Sequence, residues 1–340
     1  MSRLPDFPRS QGYPQASGRI RVFAEDFQVE ELTPFQPDGE GEHVLLWVEK
    51  REANTDWVAR GLGRHAGVKP VAVGYAGLKD RQAVTRQWFS IHLAGRDEPD
   101  WQALELEGVR VLESHRHGRK LRRGTLKGNR FVIRIREFQG DRGEVQARLE
   151  SLARFGMPNY FGDQRFGHEG GNLDKADAML RGGLRVKDRH RRGLYLSAAR
   201  SLLFNRVLAR RVEQDNWRQA LPGEVLMLDG SHSVFRADEI DDELRQRLRD
   251  HEVHPTGPLW GRGRPLTGGA ALELEQEVLA GDADWRNGLE HVGLKQERRA
   301  LRVIPGDLRW DWPEGDLELR FFLPAGAYAT SLLRELVSLR

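Results

Sequence analysis

RFVIRIR, residues 130–136, alternates without a break, with Phe131, Ile133 and Ile135 on one side and arginines on the other. Successive side chains of a strand point to opposite faces, so this segment reads as a half-buried strand with a cationic outer face. Working back from it, QWFSIHLAG (87–95), VAVGYAG (71–77) and HVLLWVEK (43–50) are further strand candidates, the last entered through the turn PDGEGE (37–42). A strand pattern also starts at Arg19, with Ile20, Val22, Phe27 and Val29 among charged residues. Asn54 or Thr55 can cap a short helix bearing Trp57, Val58, Leu62 and His65.

Working forward, 142–155 has helical spacing at Val145, Leu149 and Leu152, and 197–212 has it at Leu202, Leu203, Val207 and Leu208. Residues 237–250 read as a charged helix, and 254–270 as a Pro/Gly loop. ALRVIPGD (300–307), DLELRFFL (316–323) and AYATSLLRELVSL (327–339) read as strand, strand and helix. The class is therefore α+β, with antiparallel-looking strands at both ends of the chain and helices concentrated between them, and a core built from both termini with the middle inserted as a second domain is one simple arrangement. The Gly-rich, aromatic stretch GMPNYFGDQRFGHEGGN (156–172) is the best candidate for a domain boundary.

A chain of 340 residues suits two domains, since single cores stop growing near roughly 250–300 residues. A hydrophobic fraction of 39% excludes general disorder, and zero cysteines exclude disulfides, Cys–zinc sites and a thiol nucleophile. The N-terminus has no apolar signal region, and no apolar run approaches the ~18 residues of a membrane span, so a soluble, cytoplasmic protein is expected. The net charge of +3 hides an uneven distribution. Residues 101–200 carry 22 basic and 12 acidic side chains, or +10, whereas the segments before and after come to −2 and −5.

HRHGRKLRRGTLKGNRFVIRIR (115–136) holds nine Arg or Lys and no carboxylate, and RGGLRVKDRHRR (181–192) adds six more cations with one Asp. Asn129, Phe131, Tyr160, Phe161 and Phe166 are interleaved with or follow the first block. Cations that fix phosphates, beside aromatic faces that stack unpaired bases, form the combination that recognises RNA. No Walker-type loop, Rossmann glycine fingerprint, HExxH or GxSxG occurs. His115 and His117 make a poor metal pair, because the surrounding arginines repel a cation.

Among the acids, Asp80 stands out: it follows the apolar VAVGYAG, lies in a turn and is flanked by Lys79 and Arg81. A carboxylate so placed stays ionised and open to a ligand, as a nucleophile or base requires, although a turn-capping Asp would look the same. Glu25 and Asp26 are a second acidic candidate, better suited to structural hydrogen bonding.

GYAGLKDRQAVTRQW (74–88) resembles the signature of the D family of tRNA pseudouridine synthases. The likeness continues through EDFQVEE (25–31), GEGEH (39–43), LKGNRF (126–131), PNYFGDQRFG (158–167), LSAARSLLFN (196–205) and LPAGAYATSLLREL (323–336), in the family's order. The resemblance implies isomerisation of uridine to pseudouridine, at position 13 in the D-arm of tRNA, without metal, nucleotide or flavin. It places Asp80 at the catalytic carboxylate, and Phe27, Asn129 and Tyr328 at uridine-site positions. Relatives can carry Phe at the last of these. Phe131 would stack under the base, and Arg21 would pair with the catalytic carboxylate. The implied organisation is a catalytic core of residues 1–154 plus 302–340 on a mixed, largely antiparallel sheet, with an α/β family-specific domain inserted at 155–301; tRNA is the expected partner, and a monomer is the default expectation. Asp80 could attack C1′ of the ribose, attack C6 of the ring, or abstract the C2′ proton. An RNA chaperone with an inert Asp80, and a glycosidase that leaves abasic RNA, are the rival readings.

Overall fold

The computed structural model describes residues 5–340, which divide into two compact units. One unit comprises Gln15–Arg142, Pro305–Gly326 and Ser338–Arg340; the other comprises the described residues up to Pro14, Gly143–Ile304 and Ala327–Val337. The expected boundaries at 154/155 and 301/302 differ from this division mainly in the helix Arg142–Phe155, which goes with the second unit, as do the chain's beginning and the helix Ala329–Leu336.

The first unit is a ten-stranded sheet. Its strands are β1 (Ser17–Arg19), β2 (Phe27–Leu32), β3 (His43–Arg51), β4 (Val73–Tyr75), β5 (Val84–His92), β6 (Val109–His117), β7 (Gly128–Gln139), β8 (Gly306–Asp311), β9 (Leu317–Pro324) and β10 (Ser338–Leu339). The main path runs β8-β9-β7-β2-β5-β3-β6; β1 joins β7 and β10, and β4 joins β5. Only β2–β5 and β1–β10 are parallel, so the mixed, largely antiparallel class and the contribution of both chain ends hold.

The alternation at 130–136 is realised on β7. Phe131, Ile133 and Ile135 are buried, and the facing β9 supplies buried Leu317, Leu319, Phe321 and Leu323. Phe131 lies opposite Phe321, with ring centroids stacked at 5.2 Å. The outer arginines do not form a free cationic face: Arg130 pairs with Glu30, Arg134 with Glu314 and Asp316, and Arg136 with the buried Asp26. Elsewhere, the inward residues Val44, Leu46 and Val48 of β3 and Phe89 and Ile91 of β5 pack with Val58 and Leu62 of helix α1 (Thr55–His65).

The second unit packs the helix Arg189–Glu213 in its core, with Leu202, Leu203, Phe204, Val207 and Leu208 buried. That helix starts earlier than the expected Ser197, because Asp188 caps it by accepting from the backbone of His190 and Arg191. The expected 254–270 loop is corrected in its first part: Val253–Leu259 is a strand. Pro255 and Pro258 pointed to a loop, yet the strand changes partner at Thr256, pairing first with Glu224–Leu228 and then with Glu297–Ala300. Each half needs only one edge satisfied, so the missing N–H groups of proline are tolerated. The charged helix spans Asp242–Arg249, and helices Gly171–Leu180, Gly269–Val278 and Ala283–His291 lie outside the sequence reading. Among the described residues, no helix is long and apolar enough to cross a membrane.

Candidate active site

The inner face of β3 and β5 is apolar along most of its length and turns polar at one end. The buried Lys50 and Thr85 face each other there, beside Gln87, and Thr55 at the start of α1 is buried too. The loop between β4 and β5, which carries Asp80, is bound to these groups. Gln87 donates through Nε2 to the Gly77 carbonyl at 3.1 Å. Thr55 Oγ1 accepts from the Lys79 amide at 3.0 Å and donates to Gln87 Oε1 at 3.1 Å. Lys50 Nζ donates to the Asp80 backbone carbonyl at 2.8 Å. On the neighbouring strand, Glu31 takes the buried Lys79 ammonium at 2.6 Å.

Burial decides the electrostatics of this layer. It pulls Lys50 down to about 8, against the opposing pull of the Asp80 charge, and Lys79 adds to the depression. Burial also pushes Glu31 above the ordinary carboxylate range, although Lys79 works the other way. Asp80 itself keeps its carboxylate accessible, with 41% of the side chain exposed. The backbone of this loop is thus fixed from below while the Asp80 carboxylate stays open above it.

Arg21 approaches the carboxylate from another strand end. The strand expected from Arg19 breaks there, because Arg21 adopts a left-handed backbone at φ 59°. This turn aims the guanidinium so that Nη2 donates to Asp80 Oδ2 at 2.9 Å, while its carbon sits 4.2 Å from the Phe27 ring centroid. Phe27 meets Phe131 edge-on at 6.2 Å, and the two rings are only 1% and 7% exposed. Asn129 sits on β7 opposite Glu31, and its Oδ1 is buried with no hydrogen-bond partner among the described residues. Arg21, Phe27, Asp80, Asn129 and Phe131 therefore belong to one unit, along a run of contacts and strand neighbours.

Tyr328 belongs to the other unit, at the start of the helix Ala329–Leu336. Its hydroxyl accepts from Arg165 Nε at 2.9 Å, and Arg165 Nη1 donates to Ser197 Oγ at 3.0 Å. The ring packs edge-on to Phe161 at 6.1 Å and closely over the Gly162 backbone, where a Cβ would lie 3.2 Å from a ring carbon and 2.8 Å from Thr330 Oγ1. The guanidinium of Arg299 stacks 4.0 Å over Phe161, and burial brings it down to about 10.

The remaining candidates have structural partners. Asp26 is buried and accepts from Arg136 at 2.7 Å and from the Phe23 amide at 2.8 Å, while Glu25 pairs with Arg51. His117 lies 2.8 Å from Asp38 and His115 3.0 Å from Glu113, and no metal-competent group of three ligands occurs among the described residues. In the basic segment, Arg119, Lys120, Arg122 and Arg123 are exposed. Lys50, Gln87 and Glu31 were not singled out in the sequence, which offered Thr55 only as a helix cap and Lys79 only as a cation flanking Asp80. A signal was present for Lys50, which occupies the inward period of HVLLWVEK after Val44, Leu46 and Val48.

A family model described as tRNA pseudouridine synthase D (TruD) matches residues 10–185 and 171–336. A protein of Nitrosococcus oceani named tRNA pseudouridine synthase D is 55% identical over 327 residues, covering 95% of this chain and 91% of its own length. One of Methylococcus capsulatus with the same name is 51% identical over 333 residues, covering 98% and 94%. The fold matches the crystal structure of a candidate tRNA pseudouridine synthase D from Methanosarcina mazei, with a TM-score of 0.75 at 22% identity and coverage of 97% and 95%. By the span of the family match and the identity to these relatives, the chain belongs to the tRNA pseudouridine synthase D family and is a pseudouridine synthase, an isomerase.

Proposed function

We propose that this pseudouridine synthase acts in the cytoplasm on uridine 13 in the D-arm of tRNA, with Asp80 as the reacting carboxylate. The observation that carries the reading is the held but accessible Asp80, clamped by Arg21 at 2.9 Å above a loop locked by Lys50, Thr55 and Gln87. Such fixation places a reacting group without loss of orientational freedom at the moment of reaction. A uridine stacked in an RNA helix is out of reach of a carboxylate, so the nucleotide flips out.

In this reading, Asn129 Oδ1 accepts the N3–H of the uracil, which gives the buried and unpaired oxygen a donor. Phe27 and Phe131 form the floor of the uridine site. The N1–C1′ bond breaks and a C5–C1′ bond forms; C5 loses a proton to solvent and N1 gains one. The balance is redox-neutral and calls for no metal, nucleotide or flavin. Residues 1–154 and 302–340 act as the catalytic core and 155–301 as an inserted family-specific domain, in a monomer.

Release of tritium from C5-labelled uridine in a tRNA transcript, with EDTA and no added cofactor, tests this reading. Multiple-turnover release is expected, and it should vanish when uridine 13 is replaced by cytidine. Undiminished release from that transcript overturns the assigned position; tight binding of total cellular tRNA without any release overturns the assigned substrate.

A further inference from the structure

We propose that Lys50 is a positioning residue for the reaction, which holds the backbone carbonyl of Asp80 and sets a positive charge behind its carboxylate. This inference rests on the reading of Asp80 as the reacting group. Lys50 is the last inward side chain of β3 and is 0% exposed. An ammonium taken out of water is costly unless it is paired, and buried lysines ordinarily lie against a carboxylate of their own. Glu31, the buried acid of this layer, is already bound to Lys79 at 2.6 Å. The hydrogen bond that Lys50 makes runs instead to the Asp80 carbonyl at 2.8 Å.

The charge is not needed to shape the loop, because the uncharged Thr55 and Gln87 already bind residues 79 and 77. The charged groups acting on Lys50 are Asp80 and Lys79, both on the loop, and Glu31 and Arg21 lie beyond them as their partners. Its cross-strand neighbours, Thr85 on β5 and Val109 on β6, are uncharged. The ammonium thus answers the Asp80 carboxylate from below, as Arg21 does from the other side. A charge-assisted bond is roughly twice as strong as a neutral one, so loss of the proton weakens the grip on the loop. Burial brings that loss into the mildly alkaline range, to about 8.

Single-turnover rates and tRNA affinities of the full chain, measured from about pH 6.5 to 9.5 for the wild type, Lys50→Met and Lys50→Arg, test the proposal. Lys50→Met should bind tRNA within about threefold of the wild type yet react about 10²-fold more slowly, the effect of a small misplacement at a reacting group. The wild-type rate should fall with a midpoint near 8; the fall should disappear in Lys50→Met and move upward in Lys50→Arg, which stays charged. A wild-type rate in Lys50→Met, or the same alkaline fall in it, overturns the role. Should Lys50→Met fail to fold, a wild-type rate that is flat across this range overturns it as well. Asp80→Asn measured alongside separates the two ideas: an active Asp80→Asn defeats the reading of Asp80, whereas an inactive one beside a fully active Lys50→Met defeats only the role of Lys50.

Discussion

Arg21 Nη2 lies 2.9 Å from Asp80 Oδ2, and Arg21 reaches that position from a left-handed backbone. A non-glycine residue in that region costs roughly 1–2 kcal/mol, because Cβ crowds the following carbonyl. The structure bears this cost where strand order breaks between β1 and β2, and the result is a guanidinium shared between a carboxylate and the face of Phe27.

Asp80→Asn preserves the shape of the side chain and removes its negative charge. Tritium release should drop to background while tRNA affinity stays within a few-fold of the wild type. Loss of binding together with turnover would assign Asp80 to the RNA interface rather than to the reaction.

Arg21→Gly separates backbone from side chain. The left-handed conformation becomes free of its Cβ penalty, so thermal stability should hold or rise, while the Asp80 carboxylate loses its clamp. Turnover should fall about 10- to 100-fold, equivalent to roughly 1.5–3 kcal/mol for a hydrogen bond to a charged group. An unchanged rate in a melting and tritium-release comparison would show that the ion pair is incidental.

Asn129→Ala removes a buried oxygen that has no partner of its own, so little stability should be lost. Its effect should appear in kcat/KM, which should decrease by about 10- to 100-fold if the oxygen receives the uracil N3–H. Equal kcat/KM for the variant and the wild type would place the uracil edge elsewhere.

Lys50 links stability to pH in the less usual direction. Its folded-state value of about 8 lies below the 10.5 of a free lysine, so between these values the unfolded chain holds more protons. The penalty from Lys50 is therefore full below pH 8 and fades as pH rises towards 10.5, which makes this contribution to stability increase with pH. Lys50→Met should be more stable than the wild type at pH 7, by about 1–3 kcal/mol, with the gap closing by pH 10. Denaturation midpoints at the two pH values check this; a less stable Lys50→Met at pH 7 would contradict it.

Neutralising Arg119, Lys120, Arg122 and Arg123 together should weaken tRNA binding and flatten its salt dependence, by close to one unit of log–log slope for each phosphate that is no longer neutralised. The four are exposed. An unchanged slope would mean that this loop does not meet phosphate.

The strict alternation at 130–136 showed a strand with one buried face, because period-2 burial is a property of the chain alone. The fate of the other face was not legible. The acids that neutralise Arg134 come from residues 314 and 316, brought in by β9, and pairing at that sequence distance leaves no local trace. The same holds for the site. Asp80 was singled out by its turn and Arg21 by resemblance, and the two are in contact, but the left-handed turn at Arg21 had no sequence signal, since Arg carries no preference for it. Lys50 was passed over for a different reason: although it falls on the inward period of its strand, a lysine closing a strand ordinarily reads as its solvated end, whereas the crossing loop buries this one. Val253–Leu259 was missed because its two prolines outweigh, on local preference, a partner switch that only tertiary structure reveals.

The pairing of β7 with β9 joins Ile135 to Leu317, and it has a consequence for synthesis. A ribosome adds residues at roughly 5–20 per second, so about 10–40 s pass between emergence of the first of these strands and the second. During that interval β2 can cover one edge of β7, but the other edge stays bare, with Phe131, Ile133 and Ile135 lacking the apolar cover that β9 brings. The nascent chain thus exposes an unpaired, apolar strand edge inside its future sheet for much of its translation, and slow codons between residues 139 and 317 would lengthen that exposure.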